Sequence, residues 1–235
     1  MKKNLIFTLA IGNYSRYPTI KLMEDYAKKC GADYLPLKHT VINQSNLFFE
    51  KFFFVELLER YDRVFYVDGD VLVTPHAKNV FEEFPDEECF YAFAENDHGQ
   101  WMDRDYCVNP LLDDCPEWPL QENGKKQYFN AGVFLVSKPL QKYFLNFRNV
   151  PNIPGIYEFG DQTYLNYIIA KNKIKFESLP HSFNRMNLGK NDPNNERYDS
   201  NFIHYAGPDL YGNGNRDLTI QNDINYLYKK NEIKS

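Results

Sequence analysis

Asp68-Gly69-Asp70 stands between Val64-Phe65-Tyr66-Val67 and Val71-Leu72-Val73. A β-branched and aromatic run of this kind reads as a buried strand, so the two carboxylates fall at its carboxyl end. That end is where open α/β sheets hold their ligands. Two like charges side by side in a partly buried place are costly, and a divalent cation is the economical way to neutralise them. The tripeptide pattern occurs by chance about once in a chain of this length. A second copy, Asp103-Arg104-Asp105, lies in a polar stretch with no strand before it and serves as an internal control for coincidence.

The elements that position these residues follow from the hydrophobic pattern. Residues 5–11 form a first strand ending in the turn Gly12-Asn13-Tyr14-Ser15. A helix is predicted over 18–29, with Ile20, Met23 and Ala27 on one face and Gly31 past its end, then a strand over 32–37. Ser45 is predicted to cap a helix reaching residue 61, with Phe48, Phe52, Val55 and Leu58 as its buried stripe. Strand, helix, strand, helix, strand is the pattern of a parallel sheet with right-handed crossovers.

Beyond Val73 a short helix over 80–84 and a strand over 89–93 are expected. The polar stretch 95–127 has no sustained period and contains Trp101 and Trp118. A connection that long in a compact domain is usually functional, and the two tryptophans are suited either to stacking on a ligand or to the core. Residues 128–136 read as a central strand whose Ala131 and Gly132 admit close backbone approach. Helices are predicted over 139–148, from Asp161 to about 171, and over 218–230, with strands over 174–179 and 202–205.

With 235 residues and 43% hydrophobic content, the chain suits one well-packed domain. A net charge of -5 without any basic run argues against nucleic acid as a partner. No apolar run approaches the ~20 residues of a membrane span. The run after Met1-Lys2-Lys3 reads as a strand rather than a signal peptide, so a cytoplasmic location is expected. Cys30, Cys89, Cys107 and Cys115 lack paired spacing for structural zinc and are read as free thiols.

Four segments then occur in a telling order: residues 61–70 with Tyr61-Asp62-Arg63 leading into Asp68-Gly69-Asp70, Phe129-Asn130-Ala131-Gly132-Val133, Gly160-Asp161-Gln162-Thr163-Tyr164-Leu165-Asn166, and Ile203-His204-Tyr205-Ala206-Gly207. Together they resemble the retaining GT-A glycosyltransferases of family 8, the glycogenin and lipopolysaccharide-galactosyltransferase type, over roughly residues 4–210. The resemblance implies a GT-A (Rossmann-like) domain with a mixed, mainly parallel sheet flanked by helices. Within it, 1–94 would form the nucleotide-binding half, 95–127 an acceptor-side loop, and 128–235 the donor-sugar and acceptor half. It implies a UDP-sugar donor, Mn²⁺ or another divalent cation, and a glycan, glycoprotein or glycolipid acceptor.

Position by position, the resemblance makes Asp68, Asp70 and His204 the metal ligands. Two carboxylates with one imidazole independently suit Mn²⁺. Asn130 and Ala131 match donor-sugar contacts, and Asp161 and Gln162 match the pair beside the anomeric carbon. Thr8, Ala10, Gly69 and Gly207 match the nucleotide side, Tyr14 a tyrosine that stacks on uracil, and Lys51 a basic residue near the diphosphate and ribose. The family commonly continues after Gly207 with Gly-x-x-Lys-Pro-Trp, whereas this chain has no lysine in that window. Backbone N–H groups of its glycine-rich turn, or Arg216, are the alternatives for that role. The expected function is thus metal-dependent retaining sugar transfer. The competing readings are nucleotidyl or phosphoryl transfer on the same carboxylates, and a non-catalytic nucleotide-sugar or glycan-binding protein.

Overall fold

The structure, a computed structural model, describes residues 2–43, 46–95, 104–121, 123–150, 160–186, 196–207 and 216–232. Strand β1 (Asn4–Leu9) is buried from Leu5 to Leu9 and so needs cover on both faces. Helix α1 (Thr19–Lys29) lays Met23 and Ala27 against one face. β2 (Asp33–Leu37) then returns parallel to β1 as the edge strand. A tight helical turn over Leu47–Phe53 leads through α2 (Phe54–Leu57) into β3 (Arg63–Val67), which joins the other side of β1 in parallel.

The chain continues through β4 (Val71–Val73), α3 (Val80–Glu83), β5 (Phe90–Ala94), α4 (Asp105–Val108) and β6 (Phe129–Ser137). It closes with α5 (Asp161–Lys171), β7 (Phe176–Ser178), β8 (Phe202–His204) and α6 (Arg216–Glu232). The main sheet has the order β2-β1-β3-β6-β5-β7, and β4 pairs with β8 in a second, two-stranded sheet. Within the main sheet β6 runs antiparallel to both neighbours, and the remaining pairings are parallel. Phe7, Tyr66 and Phe134 pack on one face with Phe52, Phe54 and α5, while Ile6, Phe65 and Leu135 pack on the other with α1. A third cluster, Leu72, Ile203, Ile220 and Leu227, seats α6 on the small sheet.

Two registers aim the site. Val67 lies opposite Val133 in the antiparallel β3–β6 pair, which carries Asp68 to Gly132, and the Asp68 amide donates to the Gly132 carbonyl at 2.7 Å. Val71 lies opposite His204 in the small sheet, which carries His204 to Asp70. The pairing of β5 with β6 jumps from Ala92–Phe134 to Phe93–Asn130. Ala131, Gly132 and Val133 are therefore extra residues on β6, and such a bulge frees backbone groups to face a ligand site.

Several expected elements differ. The helix predicted from Ser45 to 61 is a 3₁₀ turn followed by the short α2, and its cap is Asn46, whose side chain accepts from the Phe48 amide at 3.0 Å. Ser45 itself lies outside the described residues. Phe49, Glu50, Lys51 and Phe52 are all buried, whereas Phe48 is 50% exposed. Burial of four consecutive residues departs from the single apolar stripe expected of an amphipathic helix, because this segment is enclosed on more than one side. Residues 139–148 also wind with i to i+3 bonds, from a 3₁₀ turn over Lys138–Tyr143 into two further turns. That period sets Phe144 and Phe147 on one face, where Phe144 packs against Phe54 and Phe147 against Phe52. Among the described residues no helix is long and apolar enough to cross a membrane, and the four cysteines are free and buried.

Candidate active site

Asp68, Asp70 and His204 converge, with one potential ligand atom from each lying within 4.8 Å of the others. The Asp-Gly-Asp turn is held by the Thr19 hydroxyl donating to the Gly69 carbonyl at 2.6 Å and by the Tyr205 amide donating to the Asp70 carbonyl at 3.1 Å. Tyr66, buried in β3, donates its hydroxyl to Asp68. Burial is the main influence holding the Asp68 carboxyl above the usual carboxylate range; Lys51 opposes it and Asp70 reinforces it. Gly132 closes the site from beneath: a Cβ there would lie 2.3 Å from His204 Cε1 and 2.8 Å from Asp68 Oδ2. The backbone thus approaches as closely as the side chains allow.

His204 is oriented by Asn184, which is fully buried. Asn184 Nδ2 donates to Asn130 Oδ1 at 3.0 Å, which turns its Oδ1 to His204 Nδ1 at 2.8 Å. The hydrogen-bond pattern therefore assigns a proton to Nδ1 and leaves Nε2 as the ring atom that faces Asp70, 3.6 Å away. One imidazole nitrogen beside two carboxylates is a ligand set that fits a divalent cation of the Mn²⁺ kind.

The second half of the site grows from α5 and the β6 bulge. Asn166 pairs with both the N–H and the C=O of Phe129, each at 2.9 Å, which locks α5 to the start of β6. One turn earlier, Gln162 Oε1 accepts from the Ala131 amide at 3.1 Å and from Asn130 Nδ2 at 3.2 Å. Lys51 forms an ion pair with Asp161, donates to the Ala131 carbonyl at 3.0 Å, and lies 4.0 Å from Asp68. Burial disfavours its charge, but Asp161 and Asp68 prevail and hold its pKa above the ordinary lysine value. Gly160 opens α5 at φ 44°, and a Cβ on it would meet Asn46 Nδ2 at 2.7 Å.

These residues line one cleft of about 1100 Å³. Lys51, Asp68, Gly69, Asp70, Asn130, Asp161, Gln162, His204 and Gly207 all face it, and Ala131 contributes its backbone from below. Thr8 does not reach it: its side chain is buried, and its hydroxyl has no hydrogen-bond partner among the described residues. Ala10 lines a separate groove of about 610 Å³ between α1 and β2. The Tyr14 side chain and Trp101 lie outside what the structure describes. Trp118 is a core residue, its indole N–H donating to the Gln127 carbonyl at 2.7 Å. Asp103 is likewise outside the described residues, and Asp105 pairs with Lys126 at 3.2 Å. Sequence reasoning missed Asn184, which carries no motif, and it left open the role of Arg216, which donates to Asp70 Oδ2 at 2.8 Å and to the Gly207 carbonyl at 2.6 Å.

The fold recurs in solved structures. A glycosyltransferase involved in glycosylation of the major capsid of PBCV-1 aligns with a TM-score of 0.62 at 16% identity, over 93% of this chain and 98% of that one. The glycosyltransferase GlyE of Streptococcus pneumoniae TIGR4 aligns at 0.52 and 18% identity, over 98% of this chain and 64% of its own length. The galactosyltransferase LgtC, in complex with donor and acceptor sugar analogs, aligns at 0.50 and 16% identity, over 93% and 95%. At these identities the likeness establishes the shared architecture. A comparison with curated protein sequences finds no significant match. The profile described as glycosyl transferase family 8 matches residues 15–209, a span that takes in the acidic turn, the β6 bulge, the start of α5 and His204. A cleft assembled from those four segments, on a sheet of this architecture, is where the sequence match and the fold coincide: the chain is a glycosyltransferase and belongs to glycosyl transferase family 8.

Proposed function

We propose that this glycosyltransferase moves a sugar from a UDP-sugar to a hydroxyl of a glycan-bearing acceptor, with retention at the anomeric carbon and with Mn²⁺ held by Asp68, Asp70 and His204. The observation that carries the reading is the convergence of those three side chains above Gly132, where no side chain fits. A divalent ion bound there supplies Lewis acidity and neutralises charge on the leaving diphosphate. Asp161 and Gln162 face the donor sugar as fixed negative charge and dipole, suited to oxocarbenium-like charge. Asn130 and the Ala131 backbone contact the sugar from the floor. Lys51 keeps Asp161 in place rather than lying free for phosphate. Arg216 takes the part of the family's missing lysine toward the diphosphate. The UDP base lies toward Gly12 and Asn13, which line the same cleft, and the acceptor lies on the 95–127 side. Nucleotidyl transfer would leave the Gln162–Asn130–Ala131 web without a task.

The test is nucleotide release measured against a panel of sugar nucleotides with and without Mn²⁺, with the product anomer read by NMR. A UDP-sugar should turn over only with the metal and yield the donor's anomeric configuration. Asp70→Ala should lose at least about 100-fold in rate. Undiminished turnover in Asp70→Ala, or an inverted product, would sink the assignment.

A further inference from the structure

The control for coincidence, Asp103-Arg104-Asp105, contains a residue that leads to the site. Arg104 Nε donates to Glu95 Oε2 at 2.5 Å, and the two side chains are 6% and 3% exposed. The other Glu95 oxygen accepts from Gln162 Nε2 at 3.3 Å. Gln162 is thereby gripped at both ends of its amide, by Glu95 at the nitrogen and by Asn130 and Ala131 at the oxygen.

We infer that Glu95, anchored by Arg104, is a positioning residue that sets the orientation and polarity of the Gln162 amide. The inference rests on the proposed sugar transfer, in which Gln162 faces the donor. A flipped amide would set its NH₂ against the Ala131 N–H and the Asn130 NH₂, and its oxygen against the Glu95 carboxylate, so only one orientation is satisfied. A carboxylate accepting from the NH₂ also pushes electron density toward the amide oxygen, an effect that grows where water is excluded. Glu95 therefore strengthens the negative end of the dipole that Gln162 carries at the cleft floor. Arg104 supplies the countercharge that a carboxylate buried to this degree requires, and its Nη1 lies 3.1 Å from the Tyr106 hydroxyl, which ties the pair to α4. The three residues form a chain from α4 through the end of β5 to the first turn of α5.

A double-mutant cycle tests this with the intact protein, metal and the donor identified by the panel. Glu95→Gln keeps size and a hydrogen-bonding group but removes the charge; it should lower kcat on the order of tenfold and leave donor KM and the UDP dissociation constant within about twofold. In a Gln162→Ala background the same change should cost nothing further. Because Glu95→Gln leaves Arg104 buried without its anion, Glu95→Gln/Arg104→Met serves as the stability control: it should regain the melting temperature while kcat stays low. An equal loss with and without Gln162, or recovery of kcat along with stability in the double variant, would make Glu95 a merely structural residue and overturn the inference. Absence of turnover by the wild-type chain with every donor would instead remove the proposed function and this inference together.

Discussion

Gly132 is the residue on which the two halves of the site press hardest. It sits in the β6 bulge, under His204 and Asp68, and its N–H donates to Asn130 Oδ1 at 2.9 Å. Gly132→Ala drives a methyl to 2.3 Å from His204 Cε1 and 2.8 Å from Asp68 Oδ2, so both side chains must move. Mn²⁺ titrations should show affinity reduced by about tenfold or more, while overall stability falls by about 1–3 kcal/mol, the usual cost of overpacking. Wild-type metal affinity in that variant would show that the three ligands do not act together. Asn184 works at the same scale: it joins His204 to Asn130 and so links the Asp68–Asp70–His204 side of the cleft to the side built by β6 and α5 through two hydrogen bonds.

At the scale of elements, the Leu47–Phe53 turn does more than cover the core. Glu50 within it is fully buried and accepts from the amides of Val41, Ile42 and Asn43 at 2.7–2.8 Å, which anchors the connection after β2. Its neighbour Lys51 reaches the opposite way, to Asp161 and Ala131. With Glu50 and Lys51 both turned inward, this segment lacks the polar outer face of the amphipathic helix that the hydrophobic spacing suggests. Glu50→Ala leaves three buried or half-buried amides without an acceptor and should destabilise the fold by about 2–4 kcal/mol in chemical denaturation. A change under about 0.5 kcal/mol would mean that the connection holds without this cap. The α5 helix is tied to β6 in the same manner, by Asn166 to Phe129, Gln162 to Ala131, and Thr163 to the Tyr128 hydroxyl at 2.8 Å. These contacts give the Gly160–Asn166 and Phe129–Val133 segments a physical reason to occur together.

At the scale of the whole molecule, the cleft is built by segments from most of the chain: the turns after β1 and β3, the Leu47–Phe53 turn, the bulge of β6, the start of α5, β8 and Arg216 at the head of α6. A ligand that engages all of them stabilises the entire fold. Mn²⁺ with UDP at about 100 times its dissociation constant should add about 2.7 kcal/mol to unfolding, read as a raised melting temperature. Asp70→Ala should show no such rise, and an equal rise in that variant would place the nucleotide elsewhere. The small sheet and α6 belong to the same construction. Asp223 on α6 accepts from Arg197, Tyr198 and the Tyr205 hydroxyl, which fixes the helix one residue from His204 and brings Arg216 to Asp70.

The sequence by itself determined the sheet with its covering helices, the acidic pair at a strand end, and the four segments whose order marks the family. Those features are local: a buried run, a turn, a helix start, each legible within about ten residues. Only the tertiary structure decided what the local signals were for. The antiparallel placement of β6 delivers Gly132 to Asp68, and a bulge gives the Ala131 N–H to Gln162 and its carbonyl to Lys51. Asn184, 20 residues from His204 and 54 from Asn130, orients the His204 imidazole without any motif of its own. Arg104, in the tripeptide that marked coincidence, reaches Gln162 through Glu95. Thr8, which the resemblance put on the nucleotide side, has its side chain buried away from the cleft. Such assignments depend on which side chains meet across strands far apart in the chain, and hydrophobic periodicity carries no record of that meeting.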